Sequence, residues 1–222
     1  MINLFCGYDP REAAGFHTFV HSLLCRSSQP VSIVPLADMG LPAGTNNFTV
    51  SRFLVPFMMG FQGHAIFADA CDMLMLSDIA ELDALFDNGK AVQVVKHPNY
   101  VSQHRTKYIG TEMEAEQSNY QRKNWASLML VNCGHQVWRE RYPVLNVQPA
   151  IKHLQFDGLM DEEIGDLPPE WNVLVDEGQP DDGAKLLHWT AGIPWFKHYQ
   201  NARRSKDWFS AFEAMSGANG HA

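Results

Sequence analysis

Short, almost unbroken apolar runs recur along the chain, separated by stretches in which apolar residues fall every three or four positions. Residues 2–6 (INLFC), 31–36 (VSIVPL), 65–68 (AIFA), 91–95 (AVQVV) and 186–189 (LLHW) have the length and the branched or aromatic content of buried strands. The run "WASLMLVNC" from Trp125 returns the chain to the same kind of strand. Between the first two runs, "GYDPREAAGFHTFVHSLLCRSS" predicts a tight turn and a helix, with Asp9 as cap, Pro10 at the first helical position and Glu12 three residues past the cap. "TNNFTVSRFLVPFMMG" predicts a loop feeding an apolar helix that Gly60 ends, residues 78–86 a helix capped by Ser77, and residues 199–215 an amphipathic helix. Strands alternating with helices predict an α/β fold, a mostly parallel central sheet flanked by helices.

Two stretches break this rhythm. Residues 97–123 lose the apolar period and fill with Gln, Asn, Tyr, Lys and Glu, too long for a simple connection and therefore a candidate functional loop or lid. "FADACDMLMLSDIAEL" begins as a strand and ends as a helix, yet sets Asp69 and Asp72 at the turn between them. In α/β sheets the ligand site lies at the carboxyl ends of the strands, which is where these two carboxylates fall. Two carboxylates this close repel unless protons or a cation hold them together, and hard divalent cations favour oxygen ligands. A helix cap beside a solvated turn residue would also account for them. His188, ending the last apolar run, completes an Asp/Asp/His set suited to Mn²⁺ or Mg²⁺.

Composition narrows the classes. With 222 residues, 45% of them hydrophobic and 19% charged, the chain has the profile of one globular domain, expected over residues 1–215, with 216–222 a flexible tail. The net charge of -8 disfavours nucleic acid as a partner. Residues 1–4 carry no basic n-region and Pro56 interrupts the longest apolar stretch, which predicts a soluble cytoplasmic protein. Cys6, Cys25, Cys71 and Cys133 lack metal-ligand spacing and read as reduced thiols. Lys197, His198, Arg203, Arg204 and Lys206 form a basic cluster that reads either as a peripheral contact with an anionic membrane surface or as a solvated helix face.

Taken together, "DACDMLMLSDIAEL", "HWTAGIPWF", "GYDPREAAGFHTFVHSLL", "SRFLVPFMMG", "KNWASLMLVN" and "DEEIGDLPPEWN" resemble, in order and over nearly the whole chain, the retaining glycosyltransferases of family 8, the group of glycogenin and lipopolysaccharide galactosyltransferases. That resemblance implies a single GT-A domain and a metal-dependent hexosyl transfer from a nucleotide-sugar donor, UDP-linked, to a glycan or other hydroxyl acceptor such as a surface polysaccharide or lipid-linked glycan. It implies Asp69, Asp72 and His188 as ligands of Mn²⁺ or Mg²⁺, and Gly7, Tyr8, Asp9, Arg52 and Gly192 as donor-binding residues. The late element lacks a Lys that in the family approaches the donor diphosphate, and Arg52 is the candidate to replace it. Asp161 and Glu162 correspond to the acidic segment beside the reacting sugar, where an anion or amide would stabilise an oxocarbenium-like transition state. Trp171 and Asn172 resemble a closing element, expected to be structural, and Asn124 and Trp125 would border the acceptor. Two alternatives remain. A nucleotidyltransferase calls for a Gly-rich phosphate loop, whereas "CGYDPRE" has one Gly; a non-catalytic nucleotide-sugar-binding or scaffold protein is raised by the residue added to the aspartate turn and by Glu162 in place of a Gln. The oligomeric state is not encoded in any motif.

Overall fold

The computed structural model describes residues 1–42 and 44–217. The expected tail falls largely on residues 218–222, outside the described residues. In chain order the strands are β1 (Ile2–Gly7), β2 (Val31–Leu36), β3 (His64–Ala68), β4 (Met73–Met75), β5 (Val92–Val94), β6 (Thr106–Lys107), β7 (Ala115–Glu116), β8 (Leu128–Asn132), β9 (Ile164–Asp166), β10 (Val173–Leu174) and β11 (Leu186–His188). The α-helices are α1 (Ala13–Leu24), α2 (Val55–Met58), α3 (Ile79–Asp83), α4 (Val137–Arg141), α5 (Ala150–Leu154) and α6 (Ser205–Ser216).

The main sheet has the order β2-β1-β3-β8-β5-β9 and is parallel except for β8, which runs antiparallel to both neighbours. Its inner strands are buried on both faces, with Leu4, Ile66, Phe67, Val92, Val94 and Leu128 at 0% exposure, which explains why they read as continuous apolar runs, while the edge strand β2 is mostly half-buried. Full burial of each such side chain contributes roughly 1.5–3 kcal/mol. A smaller sheet, β10-β11-β4, carries a second apolar cluster of Leu74, Val173, Leu187, Trp189 and Trp208 under α6.

Three features of this arrangement position the site. First, Ala68 at the end of β3 pairs with Leu128 at the start of β8, so reversal of β8 brings its entry residues, 124–127, to the edge where Asp69 emerges. Second, β4 and β11 are antiparallel with Met73 opposite His188, and Trp189 N donates to Asp72 O at 2.9 Å, so strand register alone sets Asp72 beside His188. Third, α1 lies flush on the aspartate turn, where a Cβ on Gly15 would stand 1.8 Å from the Cys71 carbonyl oxygen.

Local details differ from expectation. Asp78 rather than Ser77 caps α3, accepting from Ala80 N at 2.9 Å. Asp9 does cap the turn before α1, but Glu12 turns inward, fully buried, instead of closing a capping box. The C-terminal helix starts at Ser205, because Lys197–Tyr199 forms a separate 3-10 turn. Of the expected membrane-facing cations, Arg203 pairs with Asp181 at 2.5 Å and Arg204 with Asp181 and Asp207 at 3.2 and 2.6 Å, which takes them out of a free basic face. Among the described residues no helix is long and apolar enough to cross a membrane.

Candidate active site

The turn from β3 to β4 explains how two aspartates three residues apart converge. Ala70 takes φ +61°, a left-handed conformation costing about 1–2 kcal/mol for a residue with a Cβ. The kink is held by Cys71 N donating to Asp69 O and Met73 N to Ala70 O at 2.6 and 3.2 Å, while Asp69 N donates to Ser127 O at 2.8 Å. The extra residue is absorbed by the kink, and ligand atoms of Asp69, Asp72 and His188 all lie within 4.8 Å of one another.

The site is electrostatically incomplete. Oδ1 of Asp69 and Oδ1 of Asp72 are both buried without a hydrogen-bond donor. Arg52 Nη1 stands 2.6 Å from Asp69 Oδ1 as an ion pair out of hydrogen-bond alignment, while Nη1 donates to Ala126 O at 2.7 Å and Nε to Thr49 O at 3.0 Å. Burial pushes the Asp69 carboxyl up to about 7; Arg52 works against that rise and Asp72 adds to it. Burial alone would lower the His188 imidazole, yet Asp72, with Nε2 at 3.4 Å, and Asp69 and Asp176 behind it hold the pKa above its ordinary value. Glu12 lies near as a third buried carboxyl, with Oε1 unpaired and its pKa raised well above the usual range by burial and by Asp72, Asp9 and Asp69. An excess of buried carboxylate oxygen over donors, with one imidazole nitrogen, fits a hard divalent cation.

Arg52, Asp69, Asp72 and His188 line a cleft of about 250 Å³. Its lining includes Asp69, Asp72, His188, Lys107 and Thr190, together with Tyr120, Asn124 and Ser127 from the segment entering β8. Residues 97–123 form one wall of it. The β6–β7 hairpin is fastened by Tyr108 N to Ala191 O at 2.7 Å, and the segment before it by Glu177, which accepts from Tyr100 Oη at 2.6 Å, Gln103 N at 2.8 Å and the Ser102 hydroxyl. Lys107 is thereby held toward the carboxylates. Burial lowers its pKa, while Asp72, Glu12 and Asp69 oppose the shift.

The structure thus brings together Asp69, Asp72, His188 and Arg52, but not the other expected residues. Asp9 is fully buried and engaged by Arg11 at 2.6 Å and by Asn47 N at 3.1 Å. Tyr8 packs edge-on against Phe16 at 5.0 Å. Gly7 and Gly192 serve close packing, since a Cβ would meet the Phe48 ring at 2.5 Å and the Tyr199 ring at 2.7 Å. Asp161 and Glu162 sit in the exposed turn Asp161–Glu163, outside the cleft lining, with Asp161 paired to Arg122. Lys107, Lys123, Thr190 and Glu12 escaped sequence reasoning. The lysines lie in an aperiodic polar segment, and Glu12 has the spacing of a cap.

No known family profile matches the chain. It is 36% identical over 233 residues to Protein CDI of Arabidopsis thaliana, an alignment covering 97% of this chain and 88% of that protein. Among solved structures it is similar to the WbbM bifunctional glycosyltransferase (TM-score 0.69, 14% identity, 95% of this chain and 49% of that one) and to the apo glycosyltransferase GlyE of Streptococcus pneumoniae TIGR4 (0.63, 13%, 95% and 60%). The chain therefore spans about half of WbbM and three-fifths of GlyE. Galactosyltransferase LgtC, solved with donor and acceptor sugar analogs, superposes with TM-score 0.60 at 12% identity over 96% of both chains. These likenesses establish the GT-A fold. The extent of the match to the plant protein settles kinship: the chain belongs to the family of Arabidopsis Protein CDI.

Proposed function

We propose that this protein is a metal-dependent retaining glycosyltransferase of the family 8 type, transferring a sugar from a UDP-linked donor to a hydroxyl acceptor. The observation that carries the reading is the Asp69/Asp72/His188 set, whose ligand atoms lie within 4.8 Å of one another and whose two buried Oδ1 atoms lack a hydrogen-bond donor, with Arg52 as an ion-pair partner of Asp69 alone. Asp69, Asp72 and His188 would hold Mn²⁺ or Mg²⁺, which supplies Lewis-acid neutralisation of the departing diphosphate. Arg52 fixes the Asp69 arm and ties it to Thr49 and Ala126. Lys107 provides the cation missing from "HWTAGIPWF" and faces the position where diphosphate charge develops.

A cleft of about 250 Å³ is small for a whole nucleotide sugar, so residues 97–123 act as a lid that opens for the donor and excludes water on closing. Tyr120 and Asn124, which also line the cleft, border the acceptor, and the buried, unpaired Asn124 Nδ2 offers a hydroxyl a hydrogen bond. Gly7, Tyr8, Asp9 and Gly192 shape the donor site through packing rather than contact. Asp161 and Glu162 take part only if donor binding draws their turn inward, and Asp161→Asn and Glu162→Gln test that motion by their effect on turnover. Their exposure favours a second reading, a non-catalytic nucleotide-sugar binder. A thermal-shift screen of nucleotide sugars, with Mn²⁺ or with chelator, tests the proposal: Mn²⁺-dependent stabilisation by one UDP-sugar supports it, and no response to any of them refutes it. Slow Mn²⁺-dependent hydrolysis of that donor then separates an enzyme from a binder.

A further inference from the structure

Behind His188 lies a buried polar network that the metal cluster does not itself require. Asn172 is fully buried. Its Oδ1 stands 2.9 Å from His188 Nδ1, and its Nδ2 lies 2.9 Å from Ser127 Oγ, 3.4 Å from Asn124 O and 3.4 Å from His97 Nε2.

The orientation of this amide follows from its neighbours. A backbone carbonyl can only accept, so the edge facing Asn124 O is the NH₂ group. Ser127 Oγ spends its hydrogen on Asn124 O at 2.6 Å and therefore accepts from Asn172 as well. The opposite edge is then oxygen, and an amide oxygen can only accept. His188 Nδ1 must carry a hydrogen, which leaves Nε2, 3.4 Å from Asp72 Oδ2, as the nitrogen presented to the cluster. The same amide reaches the other arm, because Ser127 O accepts from Asp69 N at 2.8 Å. One side chain thus orients the imidazole from behind and braces the backbone that aims Asp69.

We propose that Asn172 is a positioning residue of the cation site, fixing the tautomer and ring angle of His188 and coupling the His188 and Asp69 arms. This rests on the reading of the cluster as a divalent-cation site. A hydrogen bond to the distal nitrogen of a ligating His sets which nitrogen is free and raises its basicity, and loss of such partners typically lowers metal affinity 10–100-fold.

The test uses the full chain and two readouts. In chelator at pH 9, nitrogen-15 spectra of the histidine rings should show His188 as the Nδ1–H tautomer with Nε2 bare; an Nε2–H tautomer overturns the proposal without recourse to any variant. Titration of Mn²⁺ followed by electron paramagnetic resonance should then show a 10–100-fold loss for Asn172→Leu. Asn172→Asp, which keeps an acceptor oxygen toward Nδ1 but loses the donor edge toward Ser127 and Asn124, should lose distinctly less affinity than Asn172→Leu. Equal Mn²⁺ affinity in wild type and folded Asn172→Leu, or an equal loss in both variants, overturns it. A wild-type protein that binds no Mn²⁺ even with UDP defeats the cation-site reading itself, and the tautomer measurement keeps the two failures apart.

Discussion

Replacing Arg52 by Met keeps an apolar stem between the Phe48 and Phe67 rings, whose centroids lie 5.4 and 5.0 Å from the guanidinium carbon, and removes only the charge and its hydrogen bonds. Two costs follow, and they separate by pH. The carbonyls of Thr49 and Ala126 lose their donor at every pH, about 1–2 kcal/mol each. The second cost is electrostatic. With Arg52 present, the folded Asp69 carboxyl already titrates near 7, above the unfolded value, so the folded chain holds the extra proton and stability falls with rising pH until about 7. Without Arg52 its pKa rises further, the proton is retained, and the decline continues above pH 7 at up to about 1.4 kcal/mol per pH unit. The variant should therefore lose about 2–4 kcal/mol at pH 6 and a further 2–3 kcal/mol by pH 9. At 2–4 °C per kcal/mol for a chain of this size, that is a melting deficit of about 4–16 °C growing by about 4–12 °C. Thermal melts and urea titrations at both pH values measure it, and Asp69→Asn in the same background should abolish the growth. A deficit that is the same at pH 6 and pH 9 would refute the assignment of Arg52 to the Asp69 charge.

Three further outcomes follow from the geometry. Lys107→Ala should weaken UDP binding about 10–100-fold, the loss of a charge-assisted hydrogen bond, while leaving uridine binding unchanged; equal loss for both ligands in parallel calorimetry would count against a diphosphate contact. Burial and the proximity of His188 lower His97 to about 4, so its neutral ring favours the fold above pH 6.5 and that stability is lost as pH falls toward 4. His97→Gln should flatten the curve of urea stability against pH by about 2 kcal/mol between pH 6.5 and 5, and parallel curves would contradict this. Glu177→Ala strands Tyr100 Oη, the Ser102 hydroxyl and Gln103 N, and should speed hydrogen exchange across residues 98–107 by about 100-fold or more; unchanged exchange would show that the clasp does not hold this segment.

Much of the scaffold was legible because parallel strands buried on both faces must be apolar throughout, which is why residues 2–6 and 65–68 stand out in the chain. Two-residue and three-residue strands such as β10 and β9 were not, since they are too short to show a period and exist only through their partners. Asp69, Asp72 and His188 were legible from strand-end position and chemistry. The αL kink at Ala70 that makes their spacing work was not, because nothing in Ala itself favours a positive φ. Tyr8 and Asp9 have the residue types of a base-binding turn, and the same types also serve as a packing ring and a cap, so residue type alone does not separate the two roles. Lys107 gave no signal: its placement depends on Tyr108 anchoring the hairpin to Ala191, a contact between distant parts of the chain.

The central claim is that a divalent cation joins this cluster to a nucleotide diphosphate. Calorimetry of UDP binding to the wild-type chain, with Mn²⁺ and then with excess chelator, addresses it directly, with Asp72→Asn as the control. The account predicts binding in Mn²⁺ that weakens at least 10-fold in chelator and in the Asp72→Asn variant. Equal UDP affinity with and without the ion would contradict it.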